Sequence, residues 1–247
     1  MVRRAFLALF ALAVICLAPA TSDAQTKRVA LLIGNADYKN TERLLTPIND
    51  VNDLTVLLKS AGFSVVTIID ADAMQMRVAL ADFAERAKSS ELALVFYAGH
   101  AIEFGDENRL LAVDAKVDSK PVSPVAGIAL RDILKRLNEA GSPALVIVNA
   151  GRQNPFSRSG VIAPISSESF PNQIVAFSTG PGSKSIDGDA RNSPFAVALL
   201  KHLAIPGVPI EQLLRPVREQ VMEITKGRQI PWTHSSMIRD LILVPAR

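Results

Sequence analysis

Residues 92–100 read LALVFYAGH, an apolar run from Leu92 that closes on Gly99 and His100. The run is too short for an ordinary helix and lacks polar alternation, so it reads as a strand over Leu92–Tyr97 buried on both faces. Four similar runs flank it, at Arg28–Ile33, Phe63–Ile69, Ala144–Val148 and Ile174–Phe177. Each is β-rich and bounded by turn residues or helical periodicity. The stretches between them are amphipathic. Ile48, Val51, Leu54, Leu58 and Ala61 form one stripe, stopped by Gly62. Met76, Leu80, Phe83 and Ala87 form another behind Asp72, an N-cap with Gln75 three residues on. Leu130, Ile133, Leu134 and Leu137 make a third, ending near Gly141. Strands alternating with helices in this way predict an α/β fold: a doubly wound, mostly parallel sheet with helices on both faces. Ser193-Pro194 opens a further helix through Leu203, and Val217, Val221 and Ile224 mark a last one, with Pro216 expected near its start.

The chain of 247 residues has 27 Lys+Arg against 24 Asp+Glu, a formal charge of +3. Arg3 and Arg4 alone supply two of those three surplus charges, which leaves no basic field to hold a nucleic acid. The two arginines precede an apolar run from Ala5 to Ala18 and then small residues around Ala18-Pro19-Ala20 or Ser22-Asp23-Ala24. That layout is expected to be a secretory signal over residues 1–24, followed by one domain over 25–247 in a secreted or periplasmic protein. A retained anchor is the other reading of this segment, but the run is short for a membrane span. With the leader removed, no stable membrane span is expected. The only cysteine, Cys16, lies inside the leader, and Ile15 before it is too bulky for a lipid-attachment site. The mature chain is therefore expected to hold no disulfide, no thiolate metal site and no cysteine nucleophile. His100, His202 and His234 are scattered singly without metal-ligand spacing, so neither a metal nor a cofactor is expected.

In a doubly wound sheet ligands bind beyond the carboxyl ends of the strands. Gly34-Asn35, Ala98-Gly99-His100 and Asn149-Ala150-Gly151-Arg152 stand at three such ends. Neighbouring strands lie about 4.8 Å apart, so the residues after the third and fourth strands can meet if those strands pair. Phosphate-binding glycine fingerprints are absent, as is the GxSxG nucleophile elbow. Trp232 beside Pro231 reads as a packing anchor, His202 as a residue near a helix C-terminus, and His234 as a solvated loop residue.

Tyr97-Ala98-Gly99-His100, Asn108 to Asp114 and Asn149 to Phe156 together resemble the bacterial branch of the caspase-like (caspase and metacaspase) peptidases. The likeness continues through Ser178 to Gly182, Asp187-Gly188, Arg191 to Phe195 and Gly227 to Trp232. It implies a cysteine endopeptidase with a His–Cys dyad, the histidine after the third strand and the cysteine after the fourth. His100 matches the histidine, and Gly151 stands at the nucleophile position without a side chain, so no acyl-enzyme can form there. The glycine that usually follows the histidine, and helps form the oxyanion hole, is Ala101 here; alanine keeps the backbone donor but restricts the torsion. Gly151 would supply the other backbone donor. Asp50 matches an acidic position attributed to the substrate pocket, whereas Asn149 replaces the acid before the nucleophile. Exchanging that carboxylate for an amide should weaken recognition of Arg or Lys by roughly 1–3 kcal/mol.

The resemblance and its departures lead to an inactive relative with a binding or regulatory role and a peptide or protein ligand. Two other readings stand beside it. One is a working hydrolase with a replacement nucleophile, for which Ser157 and Ser159 are the nearest hydroxyls in sequence. The other is a structural envelope module. The stretch from Ser157 to Pro171, rich in Ser, Pro and Gly, is expected to be one long loop.

Overall fold

A computed structural model of the chain describes residues 28–88, 90–104, 107–116, 126–150, 152–153, 170–188 and 190–246. Its first half runs β1 (Arg28–Gly34), α1 (Pro47–Ser60), β2 (Phe63–Ile69), α2 (Ala73–Ala87), β3 (Leu92–Ala98), β4 (Ala101–Phe104), β5 (Glu107–Leu111) and β6 (Gly127–Ala129). The second half runs α3 (Leu130–Glu139), β7 (Ala144–Asn149), β8 (Arg152–Gln153), β9 (Gln173–Phe177), α4 (Pro194–His202), α5 (Ile210–Thr225) and β10 (Trp232–Ser235). The leader, and residues 157–169 of the long loop, lie outside the described residues.

The five expected strands are all present, β2 with the expected bounds and the others longer by one residue at one end. They form a sheet of order β10-β9-β7-β3-β1-β2, in which the first five strands in chain order pair in parallel and β10 runs antiparallel to β9. Every residue of β3 and β7 is buried, because helices cover both faces. Val29, Leu31 and Ile33 of β1 meet α2 and α3 on one face, whereas Ala30 and Leu32 meet α1, α4 and α5 on the other. Burying a side chain such as Phe83 or Leu58 in these layers contributes about 1.5–3 kcal/mol.

Local signals in the sequence act as read. Asp72 caps α2 and its capping box with Gln75 is complete. Ser193 caps α4 with Pro194 in its first turn. Pro216 is a correction: it lies inside α5, which starts six residues earlier at Ile210. Proline forgoes one backbone bond there. Ile210, Leu213, Leu214, Val217 and Val221 are nevertheless all buried, and the Ile210 N–H is satisfied by Leu241 O at 2.8 Å. The helix start thus depends on a partner from the distant C-terminal segment.

A second sheet, β6-β5-β4-β8, was not foreseen. Its strands have two to five residues, too few for a period to declare itself. β10 was also missed, and two expectations fall with it. Trp232 is half exposed on this edge strand and anchors no core, and His234 is a strand residue, not a loop residue. His202 ends α4 as expected, with Nε2 bonded to Gln220 Oε1 at 2.8 Å. Among the described residues no helix is long and apolar enough to cross a membrane.

Candidate active-site cleft

Strands β3 and β7 pair side by side, with Ala98 opposite Asn149, so the two unusual strand ends meet. The Gly99 N–H donates to Asn149 O at 3.2 Å across that junction. A cleft of about 500 Å³ opens there, lined among others by His100, Ala101, Asn149, Ala150, Asp187 and Ser193. This is the place where a doubly wound sheet holds its ligands.

His100 is held through both its ring and its backbone. Its Nε2 lies 2.8 Å from Glu42 O. A carbonyl only accepts, so Nε2 carries the proton and Nδ1 is the basic nitrogen of the neutral ring. The ring leans on Tyr38, with centroids 4.5 Å apart at 59°. The His100 backbone N–H donates to Tyr38 Oη at 2.7 Å, Tyr97 Oη donates to His100 O at 2.6 Å, and the two phenol oxygens are 3.0 Å apart. Burial pushes both phenols above their ordinary pKa, which keeps both O–H groups as donors. Both polar groups of the His100 peptide are therefore held by one closed circuit of hydrogen bonds. The circuit also explains Gly99, since a Cβ there would stand 2.5 Å from both Tyr38 Oη and Tyr97 Oη.

Ala101 begins β4, pairs with Leu110 and Arg152, and is buried. Its φ is not positive, so alanine sits there without the strain its restricted torsion could have caused. Gly151 lies outside the described residues, as do Ser157 and Ser159. Its neighbours are placed on both sides: β7 ends at Asn149, Ala150 O accepts from Ser178 Oγ at 3.3 Å, and Arg152 pairs with Ala101. Two hydroxyls of the cleft wall are not singled out by the sequence, that of Thr46 and that of Ser185, which bonds Ser178 Oγ at 3.1 Å.

Asp50 and Asn149 come together below the cleft, 99 residues apart in the chain, with Asn149 Nδ2 2.9 Å from Asp50 Oδ2. Asp50 is fully buried on α1. Its Oδ1 accepts from Ser193 N at 3.0 Å and Asn192 Nδ2 at 3.2 Å, and its Oδ2 also accepts from Ser193 Oγ at 2.7 Å. Burial pushes its carboxyl up from 3.8 to about 6 against the pull of those donors, and the nearby Asp187 adds to the rise. Near neutrality it is mostly ionised. Asn149 places its amide between Asp50 and Ser193, donating to Ser193 Oγ at 2.8 Å as well. Asp187 is a further acid of this cleft that was not singled out as a site residue, although it belongs to one of the motifs. It accepts from Leu45 N at 2.5 Å, Thr46 N at 3.2 Å and Thr46 Oγ1 at the start of α1.

A family model described as the caspase domain matches residues 27–243. Among curated proteins, the chain is similar to the human mucosa-associated lymphoid tissue lymphoma translocation protein 1, at 27% identity over 217 residues. That alignment covers 85% of this chain and 26% of the human protein, and the mouse homolog gives the same figures. The chain thus spans about a quarter of the length of the curated relatives it matches. Among solved structures, caspase-1 from Spodoptera frugiperda superposes with a TM-score of 0.66 over 90% of this chain and 91% of that one, at 20% identity, a likeness of fold. The paired strand ends, the histidine after β3 and the match over nearly all the described residues agree, and the chain belongs to the caspase domain family.

Proposed function

We propose that this caspase-family protein binds a peptide or protein ligand in the His100 cleft and does not cleave it. The observation that carries the reading is a substitution in the sequence: Gly151 occupies the nucleophile position, and the only cysteine of the chain is Cys16. His100 retains what a general base needs, a fixed ring with a basic Nδ1. Without a thiol beside it, that base lacks the nucleophile that the family's dyad would activate, and no thiol-linked acyl-enzyme can form. A concave cleft with convergent polar groups remains suited to holding an extended chain. The N-terminal pattern of Arg3, Arg4 and the apolar run supports a secreted or periplasmic role.

The test is incubation of the purified protein with reporter peptides ending in Arg or Lys, alongside the His100→Ala variant. No turnover above the variant is expected. Hydrolysis that disappears in His100→Ala overturns the proposal in favour of a replacement nucleophile, and a fluorophosphonate probe would then identify the hydroxyl.

A further inference from the structure

We infer that the cleft anchors its ligand through a neutral, hydrogen-bond-donating side chain, the primary amide of Gln or Asn, and not through a guanidinium or ammonium group. The inference rests on the ligand-binding reading above and names the class of ligand.

Asp50 below the cleft and Asp187 on its wall already take hydrogen bonds from the protein, and the remaining acid of the lining, Glu42, stands exposed at the mouth. Asp50 receives four donors, two on each oxygen, from Ser193, Asn192 and Asn149. A carboxylate offers about four lone-pair sites, so none is left for an incoming cation. Asp187 receives three, all from Leu45 and Thr46. At the mouth Glu42 and Asp187 face Arg43 and Lys184, equal and opposite formal charges.

What remains is Asn149. It is 7% exposed, lines the cleft, and directs both N–H bonds of its amide inward to Asp50 and Ser193. Its carbonyl Oδ1 has no hydrogen-bond partner among the described residues, and it is not sealed from solvent as Asn108 Oδ1 is. The atom that meets a ligand is therefore a neutral acceptor lying over an inaccessible carboxylate.

Such an acceptor sorts side chains by chemistry. A guanidinium or ammonium would leave water for a neutral partner, losing hydration that only an accessible opposite charge restores. A carboxylate brings no proton to donate and meets the negative charge of Asp50 from behind the amide. An aliphatic side chain strips water from Oδ1 and returns nothing. A primary amide donates an N–H to Oδ1 at a modest desolvation cost, and the cleft of about 500 Å³ has room for one.

The test uses fluorescein-labelled pentapeptide pools with four degenerate positions and a last residue fixed as Gln, Asn, Arg, Lys, Asp or Leu, capped as the N-methylamide. Fluorescence polarisation with the purified protein is expected to rank the Gln or Asn pool about tenfold or more ahead of the others, the difference of one good hydrogen bond. Asn149→Asp, which returns a carboxylate to the wall, is expected to bring the Arg pool to the front. Equal or tighter binding of the Arg or Lys pool by the wild-type protein overturns the inference and leaves the ligand-binding reading standing. Binding of no pool overturns the ligand-binding reading, and this inference falls with it. Should Asn149→Asp fail to fold, NMR of the labelled wild-type protein replaces it. The Asn149 side-chain carbonyl resonance must move when the Gln pool is added, and a stationary resonance overturns the inference.

Discussion

Replacing Ser193 by alanine removes one hydroxyl that serves two elements at once. Ser193 Oγ caps α4 by accepting from Ala196 N at 3.2 Å, and it donates to the buried Asp50 carboxylate at 2.7 Å. Losing an N-cap costs about 1 kcal/mol. Losing a buried bond to an ionised group costs about 1.5–3 kcal/mol more. The sum, about 3 kcal/mol at pH 8, corresponds to a fall in Tm of roughly 6–12 °C for a domain of this size. The pH dependence separates the two parts. Asp50 is raised from 3.8 to about 6 in the fold, so its contribution to stability is fully present below 3.8 and is lost as pH rises through 6. That loss is roughly 3 kcal/mol in the native protein, from the size of the shift. Removing a donor to the carboxylate raises its folded pKa further, so the variant should lose stability more steeply with rising pH. At pH 4.5 Asp50 is largely protonated in both proteins, and the difference between them should shrink toward the capping part. Urea unfolding of both proteins at pH 4.5 and pH 8 measures this directly. Equal destabilisation at the two pH values, or less than about 1 kcal/mol at pH 8, would refute the placement of an ionised Asp50 under Ser193.

Tyr97→Phe removes the phenol that donates toward His100 O and lies against Tyr38 Oη. It should cost about 0.5–1.5 kcal/mol in denaturant unfolding and shift the His100 backbone resonances, because Tyr38 Oη loses the neighbouring phenol and His100 O keeps only the Leu111 N–H at 2.9 Å. Unchanged His100 resonances would show that the phenol circuit does not position the histidine. Gly151→Cys combined with Ala101→Gly and Asn149→Asp tests the proposed lack of a nucleophile by putting a thiol after β7, the strand beside the one that His100 follows. Weak hydrolysis of Arg-terminated reporters is the expected outcome, and a well-folded but wholly inert triple variant would favour a structural envelope module over a cleft that holds ligands.

Much of the fold was legible because its signals are local. A strand buried on both faces declares itself in seven residues, as Leu92–Ala98 does. Asp72 with Gln75, and Ser193 with Pro194, declare helix starts within four. The short strands of the second sheet and the edge strand β10 carry no such period, so they went unread. Pro216 misled for a related reason. A local rule places proline at a helix start, but the start of α5 is settled by Leu241, far along the chain, and by the row of apolar side chains that the helix buries.

The site divides the same way. The order of residues alone set His100 after the third strand and Gly151 after the fourth, and so carried both the likeness to the family and the proposal that the nucleophile is lacking, because these depend only on which residue follows which strand. Tertiary structure decided how Asp50, Asn149 and Ser193 use their polar atoms. They stand 99, 44 and 143 residues apart pairwise and meet only because the end of β7 comes against α1 and the start of α4 in the fold. A hydrogen bond is decided within a few tenths of an ångström, and pattern along the chain carries no information at that scale across such separations. That is why an acid that reads as open to a ligand from its neighbours in sequence proves, in the fold, to be occupied by the protein itself.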